Sequence, residues 1–338
     1  MKIGVPLEVK PGERRVAVTP AEGAVLVHAG HDVAVEHGAG EGIGYSDDDY
    51  RAAGALPSTL AEAWRAELVV KVKEIQPGEA RRAARGQAIF GFQHLVGEPE
   101  AARELAARGV TAIAFEMVKD AAGQFPLLAP MSEIAGRMAI RVAARHLGRT
   151  PAKVLVLGAG HAGRMAAAEA AGLGSEVVVL SRTASGLVHE ATPQAVERHA
   201  LDADLVVGAV FVPGAPTPKL LPRALVARMK RAAMIVDVSI DAGGVADTSR
   251  PTTHADPVYV EEGVLHYCVA NMPAAEPRES AERLAAAALP FVRQLAAKGI
   301  ERAVRENAAL RGAVLIWQGH VTHAGIAAEA GLPYTAFP

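Results

Sequence analysis

Residues 154–183 read VLVLGAGHAGRMAAAEAAGLGSEVVVLSRT. A β-branched apolar run ends at Gly158, an alanine-rich helical run follows, and a second β-branched run, EVVVLS, closes the segment. The turn between strand and helix is a G-x-G-x-x-G built on Gly158, Gly160 and Gly163. The first glycine permits the tight turn, the second lets the backbone approach a pyrophosphate, and the third lets the helix pack on the strand. The helix start adds unpaired N–H groups and the positive end of the helix dipole. Glycine-rich turns occur wherever a strand meets a helix closely, so the pattern alone is weak. The strand–turn–helix–strand context makes it a dinucleotide site in a doubly wound α/β domain.

At the end of the second strand such sites commonly carry an acid that accepts the ribose hydroxyls. Here Ser181 and Arg182 stand in its place. An acid repels a 2′-phosphate; Ser181 removes that repulsion and Arg182 supplies a cation, with Thr183 and Ser185 as further donors. This predicts a preference for NADP(H), with NAD(H) as the alternative. The plainer reading of Arg182 is a solvated surface arginine.

Around this segment β-rich and helical runs alternate. KIGVPLE, HDVAVEHG, AELVVKVKE, QAIFGFQH and VTAIAFEMV read as strands. PAEGAVLVHAG, DDDYRAAGA, PGEARRAARG and EPEAARELAARG between them read as helices. KVLVLG, SEVVVLS, ADLVVGAV and AAMIVDVSI repeat the rhythm, and VLHYCVANM is a return strand. This is the βαβ order of parallel sheets. Two long helices, at residues 132–148 and from about residue 280, are expected to join the halves, and the tail from Pro277 reads as mainly helical. The predicted architecture is therefore two doubly wound Rossmann-like domains with a cleft between them. Residues 1–128 with 278–338 form the substrate domain and residues 129–277 the dinucleotide domain.

The 338 residues carry a formal net charge of -2, which offers no electrostatic case for nucleic acid or an anionic membrane. Charges interrupt the apolar runs of MKIGVPLEVKPGERRVAVTP, so no signal peptide is expected there. No apolar stretch is long enough to span a bilayer. The single cysteine, Cys268, excludes an internal disulfide, no metal-ligand cluster is visible, and a reducing cytoplasm is the expected setting.

Taken in chain order, ERRVAVTP, KVKE, FQHL, LLAPMSEIAGR, the glycine turn, DVSIDAGG, SRPTT and YCVANMPA resemble the alanine dehydrogenase family, soluble relatives of the transhydrogenase α subunit. The resemblance runs from Met1 to the closing GLPYTAF. It implies reversible oxidative deamination of L-alanine to pyruvate. By motif it implies that Arg15 binds the substrate carboxylate, that Lys73 contacts the substrate oxygens, that His94 is the catalytic histidine, and that Asp241 is its partner across the cleft. Met131, Ser132 and Asn271 are implied to line substrate and nicotinamide. His161, Ala162, Ala209, Val210 and Met272 complete the expected cofactor site. The joins after Gly148 and Arg182 are shorter than is usual in the family.

The residue types suit the chemistry. Lys73 and His94 follow predicted strands, and ligands of open α/β sheets bind outside the carboxyl ends of strands. Arginine clamps a carboxylate bidentately. A lysine stabilises charge on the 2-oxo oxygen. A histidine exchanges a proton near neutral pH. Asp241 can orient ammonia or the carbinolamine. Singly, each has a plainer reading: Arg15 beside Arg14 as a solvated pair, Lys73 beside Lys71 and Glu74 as a strand-end ion pair, His94 as a core histidine, and Asp241 as a turn former. Their joint occurrence in the motifs reverses that judgement. The expected partners are a small 2-oxo acid, imine or amino acid, ammonia or an amine, and further copies of the chain in a dimer or hexamer. The alternatives are an NADPH-dependent reductase of another oxo acid or imine, a non-catalytic nucleotide-binding subunit, and a redox sensor without turnover.

Overall fold

The apolar runs of the first part form six parallel strands: β1 (Lys2–Val5), β2 (Asp32–Glu36), β3 (Leu56–Ser58), β4 (Leu68–Val70), β5 (Ala88–Gly91) and β6 (Thr111–Ala114). β4, β5 and β6 are buried throughout, as continuous apolar strands covered on both faces must be. The computed structural model describes residues 1–212 and 216–337. It divides into two units, residues 1–130 with 276 to the C-terminus, and residues 131–275. The division falls inside the 19-residue helix Ala129–Leu147.

The second unit holds β7 (Lys153–Leu157), β8 (Glu176–Ser181), β9 (Val188–Glu190), β10 (Leu205–Gly208), β11 (Met234–Asp237), β12 (Val258–Glu261) and β13 (Val264–Tyr267). Their order is β12-β13-β11-β10-β7-β8-β9, parallel except for the β12–β13 hairpin. After the 22-residue helix Pro277–Lys298 the chain adds β14 (Val314–Trp317) and β15 (His320–Val321) to the first sheet. That sheet runs β15-β14-β6-β5-β4-β1-β2-β3. In each sheet successive strands are laid to one side and then to the other of the first strand of the unit. The reversal lies between β1 and β4 in the first sheet and between β7 and β10 in the second. Such reversals open a crevice at the carboxyl ends of the strands.

The expected doubly wound architecture is present in both units, with two local departures. PGEARRAARG, expected as a helix, has only the single 3-10 turn Ala80–Arg82. Between Pro77 and Gly86 (φ 82) there is no room for a self-sustaining helix. By contrast DDDYRAAGA does form a helix, Asp47–Ala52, because Ser46 and Asp49 close a capping box. The tail, expected as mainly helical, contains the β14–β15 hairpin. Its two-residue turn, Gln318-Gly319, has both residues at positive φ, 48 and 88. The segment after Arg182 contributes β9 and the helix Pro193–Asp202, capped by Thr192. Among the described residues no helix is long and apolar enough to cross a membrane.

Candidate active site

The first unit gathers three of the expected residues around its strand reversal. Arg15 lies in the irregular segment after β1, Lys73 follows β4, and His94 follows β5; the three strands are neighbours. Arg15 and Arg14 are not the solvated pair of the plainer reading. Arg14 is exposed, whereas the Arg15 side chain is 2% exposed. Its Nε donates to Glu13 Oε1 at 2.7 Å and its Nη2 to Glu13 Oε2 at 2.6 Å. Burial opposes the charge of Glu13, but the hydrogen bonds and charge of Arg15 outweigh it and lower the carboxyl pKa. Lys73 is partly buried, and burial followed by the Arg15 charge lowers its pKa. The Lys73 ammonium thus stands near the Arg15 guanidinium, whose countercharge is Glu13.

His94 is exposed, and its backbone stands at φ 45. Its N–H donates to Glu116 Oε1 at 2.7 Å, and the N–H of Gln93 donates to the same carboxylate. The ring lies parallel to that of Phe92, with centroids 5.7 Å apart. Five non-glycine residues among those described have positive φ: His94, Ala232, Glu262, Asn271 and Gln318. Glu262 and Gln318 begin two-residue hairpin turns. Ala232 lies in the turn before β11. The remaining two, His94 and Asn271 (φ 54), follow β5 and β13, and strained backbone of this kind clusters at functional sites.

In the second unit the carboxyl ends of β13, β11, β10, β7 and β8 carry the other candidates. The glycine turn follows β7. A Cβ on Gly158 (φ 109) would lie 2.2 Å from the Ala209 carbonyl oxygen, and one on Gly163 would lie 1.9 Å from the Gly158 oxygen. A Cβ on Gly160 would meet nothing within 4 Å. So two glycines are required by packing, and the third keeps an open approach to the start of the helix His161–Gly172, which has no side-chain cap. These features fit a bound pyrophosphate. His161 Nδ1 lies 3.6 Å from Glu133, on the first turns of the helix Ala129–Leu147, which also carries Met131 and Ser132. Gly136 of that helix packs against the Ala162 carbonyl, where a Cβ would come within 2.1 Å. Met131 packs on the core of this unit.

Ser181 ends β8, and Arg182 and Thr183 are exposed just beyond it. Among the described residues no carboxylate pairs with Arg182. Ala209 and Val210 follow β10, where the Val210 N–H donates to Ser239 Oγ at 2.8 Å. Asp241 lies exposed in the 3-10 helix Val238–Ala242 after β11. The buried Asp237 closes that turn: its carboxylate accepts from Ser239 N (3.1 Å), Val245 N (2.7 Å) and Ser249 Oγ (2.6 Å). Burial raises the Asp237 pKa. Asn271 and Met272 follow β13, with Met272 buried.

Residues 4–135 match the family profile described as alanine dehydrogenase/PNT, N-terminal domain, and residues 129–324 match alanine dehydrogenase/PNT, C-terminal domain. The chain belongs to the alanine dehydrogenase/PNT family. It is 43% identical to the alanine dehydrogenase of Halomonas elongata, over 99% of this chain and 98% of that one. It is 42% identical to that of Mycobacterium tuberculosis H37Rv over the same shares, and 40% identical to that of Bacillus subtilis over 99% and 96%. A solved L-alanine dehydrogenase superposes with a TM-score of 0.92 at 36% identity, covering 97% of this chain and 98% of that one. A transhydrogenase from Sinorhizobium meliloti shares the fold at a TM-score of 0.85 and 24% identity, over 96% and 99% of the two chains.

Within this family member, several charged residues beside the candidates were not singled out from sequence. Glu13 forks Arg15, Glu116 holds the backbone of His94, and Asp237 closes the turn of Asp241. Glu8, Lys71 and Glu79 form a buried cluster beside Lys73. The E-x-R spacing of Glu13 and Arg15 was a local signal for one of these. Asp237 acts within its own turn, whereas Glu116 with His94 and Glu8 with Lys71 join residues 22 and 63 positions apart.

Proposed function

We propose that this chain interconverts L-alanine with pyruvate and ammonia, exchanging hydride with a nicotinamide dinucleotide, and that NADP(H) is favoured over NAD(H). The observation that carries the reading is the gathering of Arg15, Lys73 and His94 at the carboxyl ends of three neighbouring strands, in a chain whose full-length relatives are alanine dehydrogenases. The bound nicotinamide supplies the hydride acceptor or donor. Arg15, oriented by Glu13, holds the substrate carboxylate. Lys73 stabilises negative charge on the 2-oxo oxygen. His94 gives and takes the proton that accompanies loss or gain of water. Asp241 orients ammonia and stabilises cationic nitrogen. The glycine turn with His161 and Ala162 would hold the pyrophosphate. Ser132, Ala209, Val210, Asn271 and Met272, with Met131 on the substrate side, would border the nicotinamide. The lone buried Cys268 supports a reducing, cytoplasmic setting, and the family resemblance supports a homodimer or homohexamer.

The cofactor choice rests on Ser181 and Arg182. A hydrogen bond to a charged group contributes about 1.5–3 kcal/mol, so Arg182 supplies roughly a ten- to hundredfold preference for the 2′-phosphate. The purified protein is expected to reduce pyruvate with ammonia faster with NADPH than with NADH. Arg182→Ala is expected to erase most of that preference by weakening NADPH binding, and Ser181→Asp to go further. Dissociation constants of both cofactors, measured at low and high salt, check this. The preference must shrink with salt, because the discriminating charge is exposed. Equal affinities in the wild type, or a preference for NADH, overturn the cofactor assignment. Turnover only with other 2-oxo acids or with primary amines in a substrate panel overturns the substrate.

Lys73 predicts a pH dependence. Its ammonium is the working form, present below its pKa, and burial and Arg15 place that pKa below the ordinary lysine value of 10.5. kcat/KM for the 2-oxo acid is therefore expected to fall, as pH rises, at a pH below that value. A profile whose alkaline limb persists unchanged in Lys73→Met assigns the limb to another group.

A further inference from the structure

We propose that Glu8 is a positioning residue for Lys73, fixing the backbone from which the lysine reaches the substrate; this rests on the reading of Lys73 given above. Glu8 lies in the segment after β1, and its side chain is 2% exposed. Oε1 accepts the N–H of Val72 at 2.6 Å and that of Lys73 at 3.3 Å. These are the amides through which the chain leaves the β4–β5 ladder, whose last rungs run from Lys71 N to Phe90 O (3.0 Å) and from Phe92 N to Val72 O (3.3 Å). Without Glu8 they would have no such acceptor, and the peptide that sets the direction of the Lys73 side chain would turn more freely.

A buried carboxylate needs a countercharge, and Lys71 provides it. Lys71 is completely buried; its Nζ donates to Glu8 Oε2 at 3.2 Å and to Glu79 Oε1 at 2.9 Å. Glu79 in turn accepts the N–H of Gln76 at 2.8 Å, so both ends of the segment from Lys71 to Gln76 are held by one ion cluster. On the far side a Cβ on Gly91 would fall 2.6 Å from the Lys71 carbonyl oxygen, so β5 leaves this strand end no slack. One lysine faces two carboxyl groups, and burial raises the Glu8 pKa. The backbone hydrogen bonds that Glu8 accepts come from the two successive amides, Val72 and Lys73, that lead into the Lys73 side chain.

The experiment is a double-mutant cycle on the full-length protein with Glu8→Gln, Lys73→Met and the pair. It reads kcat and KM for pyruvate with ammonia, cofactor affinity and Tm. A carboxamide has one acceptor oxygen where the carboxylate has two. With that oxygen on Lys71, the NH2 of Glu8→Gln faces the Val72 and Lys73 N–H groups, and their acceptor is lost. Lys71 and Glu79 remain a balanced pair, so Tm is expected to fall only modestly. kcat/KM for pyruvate is expected to fall about 10- to 100-fold, the scale of a misplaced reacting group, while the cofactor dissociation constant stays within about twofold. In the Lys73→Met background the same substitution is expected to add almost nothing, because the two act as one unit. Additive losses, or a Glu8→Gln enzyme with normal kcat/KM beside an impaired Lys73→Met enzyme, overturn the positioning role and leave the reading of Lys73 standing. A Lys73→Met enzyme with normal kinetics overturns both. If Glu8→Gln does not fold, Glu8→Asp, which keeps the charge and shortens the reach, carries the same cycle with the same outcomes.

Discussion

His94→Ala is expected to lower turnover by about a hundredfold or more, the size of a lost acid–base group. Cofactor binding should survive, since His94 belongs to the first unit and the glycine turn to the second. The backbone of His94 complicates a single substitution: φ is 45, and alanine has no short polar side chain to favour that region. His94→Asn separates the effects, because asparagine adopts left-handed backbone readily but cannot shuttle the proton. If strain were the whole matter, His94→Asn would turn over normally and His94→Ala would not. Both variants are expected to be slow, with the Asn form closer to wild type in Tm. Near-normal turnover by either variant with its best substrate removes His94 from the chemistry.

Asp241→Asn is expected to cost about 100-fold or more in kcat, as when one preorganised electrostatic contact to developing charge is lost. The shape is kept and the charge is removed. Asp241 is exposed, and the buried bonds of its turn belong to Asp237, so the thermal midpoint should stay close to wild type. Steady-state kinetics and a thermal melt on the same preparation check the pair of expectations. A midpoint that collapses together with activity makes Asp241 structural.

Much of this protein is legible in its residues because the signals are local. The glycine turn, the apolar β-runs and the helices between them depend on neighbours within a few positions, and the structure has them where the sequence predicts. That Lys73 and His94 stand at strand ends follows from where the apolar runs stop. The failures were also local in kind: a loop too short to hold a helix at residues 77–86, and a Gln-Gly hairpin turn read through as helix. The partners of the candidate residues were of another kind. Nothing in KVKE marks Lys71 for burial, and only the pairing of β1 with β4 buries it against Glu8, 63 residues away. Glu116 reaches the backbone of His94 because β6 lies beside β5. Strand order is a property of the whole sheet, set by which buried surfaces fit together, and no run of neighbouring residues encodes it. The sequence by itself therefore determined the kinds of element and the groups able to do chemistry. The tertiary structure decided which carboxylates hold those groups, because the energy of burying a charge depends on what the rest of the chain brings within hydrogen-bond distance.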